Sequence, residues 1–130
     1  RMYNISKNIL RFEVKFIKKR PLQELDLFTI SDLRREDVLE KLFSTLLKRF
    51  DEMLILDDYT KKKIDSEDLI LLQKYTSQRF WMVDIKSKSR TTKSNQIKKL
   101  NNLIDKYHLG NYKASLRKQL IEKYTEFRNN

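Results

Sequence analysis

The order of apolar and polar positions divides the chain into one stretch of period two and several of period near 3.6. Leu10, Phe12, Val14 and Phe16 alternate with Arg11, Glu13 and Lys15. Successive side chains of an extended chain point to opposite faces, so this alternation predicts a half-buried strand over 9–18. Arg1–Ile5 is expected as a shorter second strand, with Ser6, Lys7 and Asn8 as the turn. Two strands alone are marginal in water. The ribbon therefore needs helices over it, or further strands from a larger sheet.

The remainder reads as helix. Pro21 suits a first helical turn, where its missing N–H has no partner to lose, and 21–27 reads as a short helix. Thr29 or Ser31 is placed to cap the next helix. From Glu36 onward, Val38, Leu39, Leu42, Phe43, Leu46, Leu47, Phe50, Met53 and Leu54 keep a spacing of three and four, which marks the expected core stripe. Ser66, with Glu67 and Asp68 in the following turn, starts a helix to about Tyr75. Ser77 is placed to cap a short helix carrying Phe80, Trp81 and Val83.

Residues 86–96 hold no hydrophobe, and a helix with Ile97, Leu100, Ile104 and Tyr107 on one face comes after them. Gly110 sits where a helix of that span should stop, and Asn111 is placed to cap the last one, which carries Leu116, Leu120, Ile121, Tyr124 and Phe127. The fold class expected is α+β and predominantly α-helical, an N-terminal strand or hairpin followed by about five to six helices. Residues 1–130 then form a single domain or fragment. Its parts are a strand region (1–20) continuing a larger sheet, a helical core (21–85) and a basic helical region (86–130). A chain that begins at Arg1 rather than Met reads as a piece of something longer.

Composition narrows the chemistry. With 130 residues the chain is long enough to bury a real core, and 11 % aromatics argue against disorder. One Gly and one Pro exclude collagen-like and turn-rich all-β architectures. The absence of Cys removes disulfides and thiolate sites and fits a reducing compartment, and a single His leaves no paired-histidine zinc motif. The longest aliphatic run, Leu69–Leu72, is far short of the roughly 20 residues a membrane helix needs, so no membrane partner is expected.

Net charge is +11, and it is unevenly placed. Residues 1–20 carry +6, 21–85 carry −4, and 86–130 carry +9, with twelve basic and three acidic residues in the last segment. Lys86, Lys88, Arg90, Lys93, Lys98 and Lys99 fall in one stretch without an acid, interspersed with Ser, Thr, Asn and Gln. Such a stretch supplies counterion release to phosphates, and its hydroxyl and amide groups add short-range contacts. On a helix, Lys93, Gln96 and Lys99 share a partly polar face. The alternative is a solvated basic loop with no partner.

Other candidates are weaker. Glu13, beside Arg11 on the polar face of the strand, is able to serve a divalent metal, but an ion pair on a wet face is the commoner use of such residues. Asp51, Glu52, Asp57 and Asp58 cluster in sequence without any reason to converge on one point. A Tyr phenoxide is able to attack a phosphodiester. Tyr107 and Tyr124 lie on apolar helix faces, whereas Tyr3 lies in a polar, basic segment. Trp81 reads as core and His108 as a surface residue at a helix end.

The run Ile9-Leu-Arg-Phe-Glu-Val-Lys-Phe16, followed by Lys19-Arg-Pro-Leu-Gln-Glu-Leu25 and Leu27-Phe-Thr-Ile-Ser-Asp-Leu33, resembles the later half of rolling-circle replication initiators, nearest the gene II/gene X family of phages and plasmids. Arg79-Phe80-Trp81 and Lys98-Lys-Leu-Asn-Asn-Leu-Ile-Asp-Lys-Tyr107 extend the resemblance over about 1–127. It implies the DNA-binding C-terminal part of a protein that nicks origin DNA. It implies Tyr3 as the nucleophile, with Arg11 and Glu13 shaping the polar face beside it. The parent protein is implied to be a nicking endonuclease and strand transferase that uses Mg or Mn on a paired-histidine strand. That strand is absent from this chain, so no metal site or cofactor is expected here and the chain alone is expected to be inactive. The partners implied are origin DNA, single-stranded or as a nicked duplex, and host replication proteins, in a bacterial cytoplasm. Lys18, Lys19 and Arg20 are expected to help the six cations of 86–99 on the phosphates. The competing expectation is a helical protein–protein interaction module without DNA contact.

Overall fold

The structure is a computed structural model that describes residues 11–130. Five α-helices, a 3-10 turn and a π turn make up the regular structure among the described residues, with no strand. The expected α+β class is therefore corrected to helical. The proposed partner strand Arg1–Ile5, its turn and the first two residues of strand 9–18 lie outside the described residues.

Residues 11–17 lack regular structure, yet the alternation that suggested a strand is present in their burial. Phe12, Val14 and Phe16 are half-buried, and Arg11, Glu13, Lys15 and Ile17 are exposed. Period-two exposure requires only an extended segment with one side against the protein. A strand also needs a neighbour to share its hydrogen bonds, and the described residues offer none.

The chain divides into two compact units, one ending at Met53 and the other spanning Leu54–Asn130. In the first, α1 (Lys19–Gln23) carries Pro21 in its first turn. The helix stops before the expected Leu27 because Asp26 takes the left-handed conformation (φ 60°). Leu27 N–H then donates to the Leu22 carbonyl and Asp26 N–H to that of Gln23, both at 3.0 Å, which is the Schellman closure. Thr29 and Asp32 form a capping box on the 3-10 turn Ile30–Arg34. Packed on that turn is α2 (Glu36–Asp51), whose Val38 and Phe50 are buried and whose Leu39, Leu42, Phe43, Leu46 and Leu47 are half-buried. The Phe12 ring meets Phe50 edge-on at 5.7 Å. Met53 and Leu54, expected on the same stripe, lie past the helix end and are exposed.

The second unit is built on α3 (Ser66–Thr76), α4 (Arg90–Tyr107) and α5 (Asn111–Asn129). Its core holds Leu72, Tyr75, Phe80, Ile85, Leu100, Leu103 and Leu109, with Leu56, Ile64 and Trp81 packed around them. Contacts between Asp68 and Tyr107 at one end and between Tyr75 and Gln96 at the other set α3 and α4 antiparallel. The short helix expected after Ser77 is a π turn, Phe80–Asp84, closed by Ile85 N–H to the Phe80 carbonyl at 3.0 Å. The wider turn sends Phe80 and Ile85 inward and leaves Met82 and Val83 outside.

Candidate nucleic-acid interface

Helix α4 begins at Arg90, inside the polar stretch 86–96 expected to precede it. Ser89 caps it, its Oγ accepting from Thr92 N–H at 3.2 Å. The buried side of α4 is Gln96, Leu100, Leu103 and Tyr107, at a spacing of four, three and four. The outward side is then Arg90, Thr91, Ser94, Asn95, Lys98, Asn101 and Asn102, all exposed. No acid appears on α4 before Asp105.

The six predicted cations of this unit therefore separate into two roles. Lys86, Lys88, Arg90, Lys98 and Lys99 are exposed, and none of them is ion-paired among the described residues. Lys93 is half-buried and donates from Nζ to the Lys86 carbonyl at 2.8 Å, which holds the 86–89 segment on α4. The expected face of Lys93, Gln96 and Lys99 is thus replaced by one centred on Arg90, Ser94 and Lys98, with Lys99 at its margin. Lys18, Lys19 and Arg20 belong to the other unit, where Arg20 pairs with Glu24 at 3.2 Å.

The opposite end of α4 is bound tightly to its own scaffold. The Lys106 ammonium contacts Asp68 at 2.7 Å and Asp65 at 3.4 Å, and the Tyr107 hydroxyl donates to Asp68 at 2.6 Å. Asp68 is held below the ordinary carboxylate range by the Lys106 and Tyr107 hydrogen bonds, and the Asp68 carboxylate raises both Lys106 and Tyr107. Lys62 Nζ donates to the carbonyls of Tyr107 and His108 at 2.9 and 3.1 Å, a cation at the negative end of the helix.

His108, exposed as expected, takes the left-handed position (φ 53°) that ends α4. Leu109 N–H closes the turn on the Ile104 carbonyl at 2.9 Å, and Leu109 is fully buried. Gly110, expected as the stop signal, has φ −103° and is the residue before α5. The cap of α5 comes from Asp57, not from Asn111. Its carboxylate accepts Tyr112 N–H at 2.7 Å and the Asn111 side-chain amide at 3.1 Å, which keeps it below its usual range. A residue 55 positions away leaves no local signal of this role.

The remaining candidates do not assemble into a catalytic or metal centre. Tyr3 lies outside the described residues. Arg11 and Glu13 are exposed and form an ion pair with each other. Glu52 pairs with Arg49 at 2.9 Å, and Asp58 accepts from the Thr60 hydroxyl and amide. Among the described residues no three His, Cys, Asp or Glu side chains converge as metal ligands, and no helix is long and apolar enough to cross a membrane. A shallow depression lined by Leu56, Asp57, Asp58, Asn111 and Tyr112 surrounds the α5 cap. No protein-family model, curated protein or solved structure matches the chain.

Proposed function

We propose that this chain binds DNA through the outward side of α4 and the 86–89 segment, as the DNA-binding part of a rolling-circle replication initiator. The observation that carries the DNA contact is the set of exposed, unpaired cations Lys86, Lys88, Arg90, Lys98 and Lys99. They are interleaved with Ser, Thr and Asn; Arg90, Lys98 and Lys99 are carried by a helix whose other side is locked into a core, and Lys86 and Lys88 by the segment that leads into it. Cations on a solvated surface with acids nearby pair with them, as Lys106 does. None of these five is paired with an acid among the described residues, which leaves them open to phosphate oxygens as counterions. The initiator part of the reading rests on the sequence resemblance alone.

DNA affinity measured against salt tests this reading. With about five phosphates neutralised, log K falls with log salt at a slope near roughly −3.5 for a single strand and roughly −4.5 for a duplex. A flat profile, or no binding at about 50 mM salt, overturns the reading. A second reading, a helical protein–protein module, is favoured by the exposed Phe28 and Ile30 of the first unit, at 67 % and 87 %. Cross-linking that captures protein partners and no DNA selects it.

A further inference from the structure

We infer that Met82 and Val83, at the tip of the π turn, insert between bases of a single-stranded DNA segment whose phosphates are held by the neighbouring cations. The inference rests on the DNA-binding reading above and adds how the bases are engaged. Both side chains are more than half exposed, 62 % and 61 %, although the turn that carries them is pinned on both sides by buried Phe80 and Ile85. The tip is therefore a rigid apolar projection.

Its surroundings are cationic. Lys86 N–H donates to the Val83 carbonyl at 3.3 Å, so the first of the unpaired lysines shares a turn with Val83. Lys88 N–H bonds the Ile85 carbonyl at 3.0 Å, and Arg90 opens α4 two residues later. The one acid of the turn, Asp84, faces the Arg79 guanidinium at 3.9 Å. Apolar side chains, Met among them, wedge between base steps and unstack them, and a positively charged groove beside such contacts tracks the phosphates of the same strand.

A strand with unpaired bases fits this tip better than a duplex, because wedging a duplex costs a few kcal/mol of unstacking per step, whereas bases of a single strand are already accessible. An anionic membrane fits worse. The apolar side of α4 is buried in the core, and the Trp81 indole N–H is committed to the Tyr75 carbonyl at 2.7 Å, so neither is offered to lipid.

The test uses the full chain with a single-stranded oligonucleotide carrying 2-aminopurine, whose emission rises on unstacking. The wild-type chain is expected to raise the emission on binding and to prefer the single strand to a duplex of equal length. In M82S/V83S the emission rise is lost and single-strand affinity falls about threefold to tenfold, while the salt slope of about −3.5 persists because the phosphate contacts are untouched. Both positions are exposed, and the emission of Trp81, the sole tryptophan, reports whether the variant remains folded. A variant with unchanged emission rise and affinity overturns the inference and leaves the DNA-binding reading standing. Wild-type binding without an emission rise does the same, whereas a preference for anionic phosphatidylserine vesicles over the oligonucleotide overturns the inference and the DNA-binding reading together. Failure of the wild-type chain to bind any DNA removes both.

Discussion

Tyr75 joins the two antiparallel helices that carry the basic surface, and Tyr75→Phe isolates the polar part of that joint. The side chain is fully buried, and its hydroxyl donates to Gln96 Oε1 at 2.8 Å. Burial raises the phenol above its usual range, so it remains a donor across neutral pH. Phe at 75 keeps the edge-on contact with Phe80 at 5.6 Å and the stacking on Trp81 at 5.9 Å. It keeps as well the backbone carbonyl that accepts the indole N–H. Only one neutral hydrogen bond is lost. Gln96 is half-buried, so water is able to take the place of the hydroxyl, and the net cost is about 1 kcal/mol. For a unit of this size that is a fall of roughly 4–8 °C in Tm. Tyr75→Ala removes the ring contacts and costs about 3–5 kcal/mol, enough to consume most of a small domain's stability. Urea unfolding followed through Trp81 emission measures both, and a cycle with Gln96→Ala gives the coupling energy. Since Gln96 bears no charge, DNA affinity in Tyr75→Phe stays within about twofold of wild type. A loss above about 3 kcal/mol on Tyr75→Phe, or no coupling to Gln96, refutes the assignment of the hydroxyl as a modest local tie.

Four further outcomes are expected. His108→Gly raises stability by about 1 kcal/mol in urea unfolding, because Gly enters the left-handed position without the steric cost of a Cβ. Ser89→Ala lowers it by about 1 kcal/mol through loss of the α4 cap, and brings more rapid amide exchange at Thr92. Asp57 is lowered on folding, so its contribution is present above the ordinary carboxylate pKa and is lost as pH falls through the folded value; Asp57→Asn therefore flattens the acid limb of an unfolding profile between about pH 5 and 2. Arg90→Glu moves the two readouts in opposite directions: stability rises by a few tenths to about 1 kcal/mol, while DNA affinity and the magnitude of the salt slope both fall.

Much of the helical layout is written in the 3–4 spacing. The expected helix from Glu36 coincides with α2 to within a few residues because it has one clear apolar side, whereas the one from Ser66 coincides with α3 through the acids of its first turn, since the run Leu69–Leu72 points around the helix and leaves Ile70 exposed. The strand failed for a physical reason: alternation reports that one side of a segment is buried, and is silent about whether a neighbour pairs with it. The start of α4 was hidden because Thr, Ser, Lys and Asn at 91–95 give no hydrophobic period, although Ser89 and Thr92 hold a local capping signal. The end of α4 misled because Gly is the usual left-handed residue, and here His108 takes that place two positions earlier. Asp57 on α5 and Lys62 on the α4 carbonyls are contacts across the fold that no local pattern encodes. The basic surface itself was legible, because charge runs need no fold to be seen; which cations are free required the fold.

That distinction bears on why α4 is built as it is. A helix is stabilised by anions near its first turn and cations near its last. The C-terminal end of α4 obeys this, with Lys62 on the terminal carbonyls and Lys106 satisfied by Asp65 and Asp68. The N-terminal end does the reverse: no acid lies in its first turn, Arg90 is its first residue, and Lys86 and Lys88 precede it. Arg90, in the first turn, works against the helix by up to about 1 kcal/mol at low salt. Stability alone therefore does not account for the arrangement. On the proposed function, a polyanion laid along the exposed side would supply the negative charge that the sequence withholds, turn that repulsion into an attraction, and release its counterions as it does so. The penalty carried by the free protein and the proposed affinity for DNA would then have one origin, which is why a single substitution at Arg90 is expected to improve one at the expense of the other.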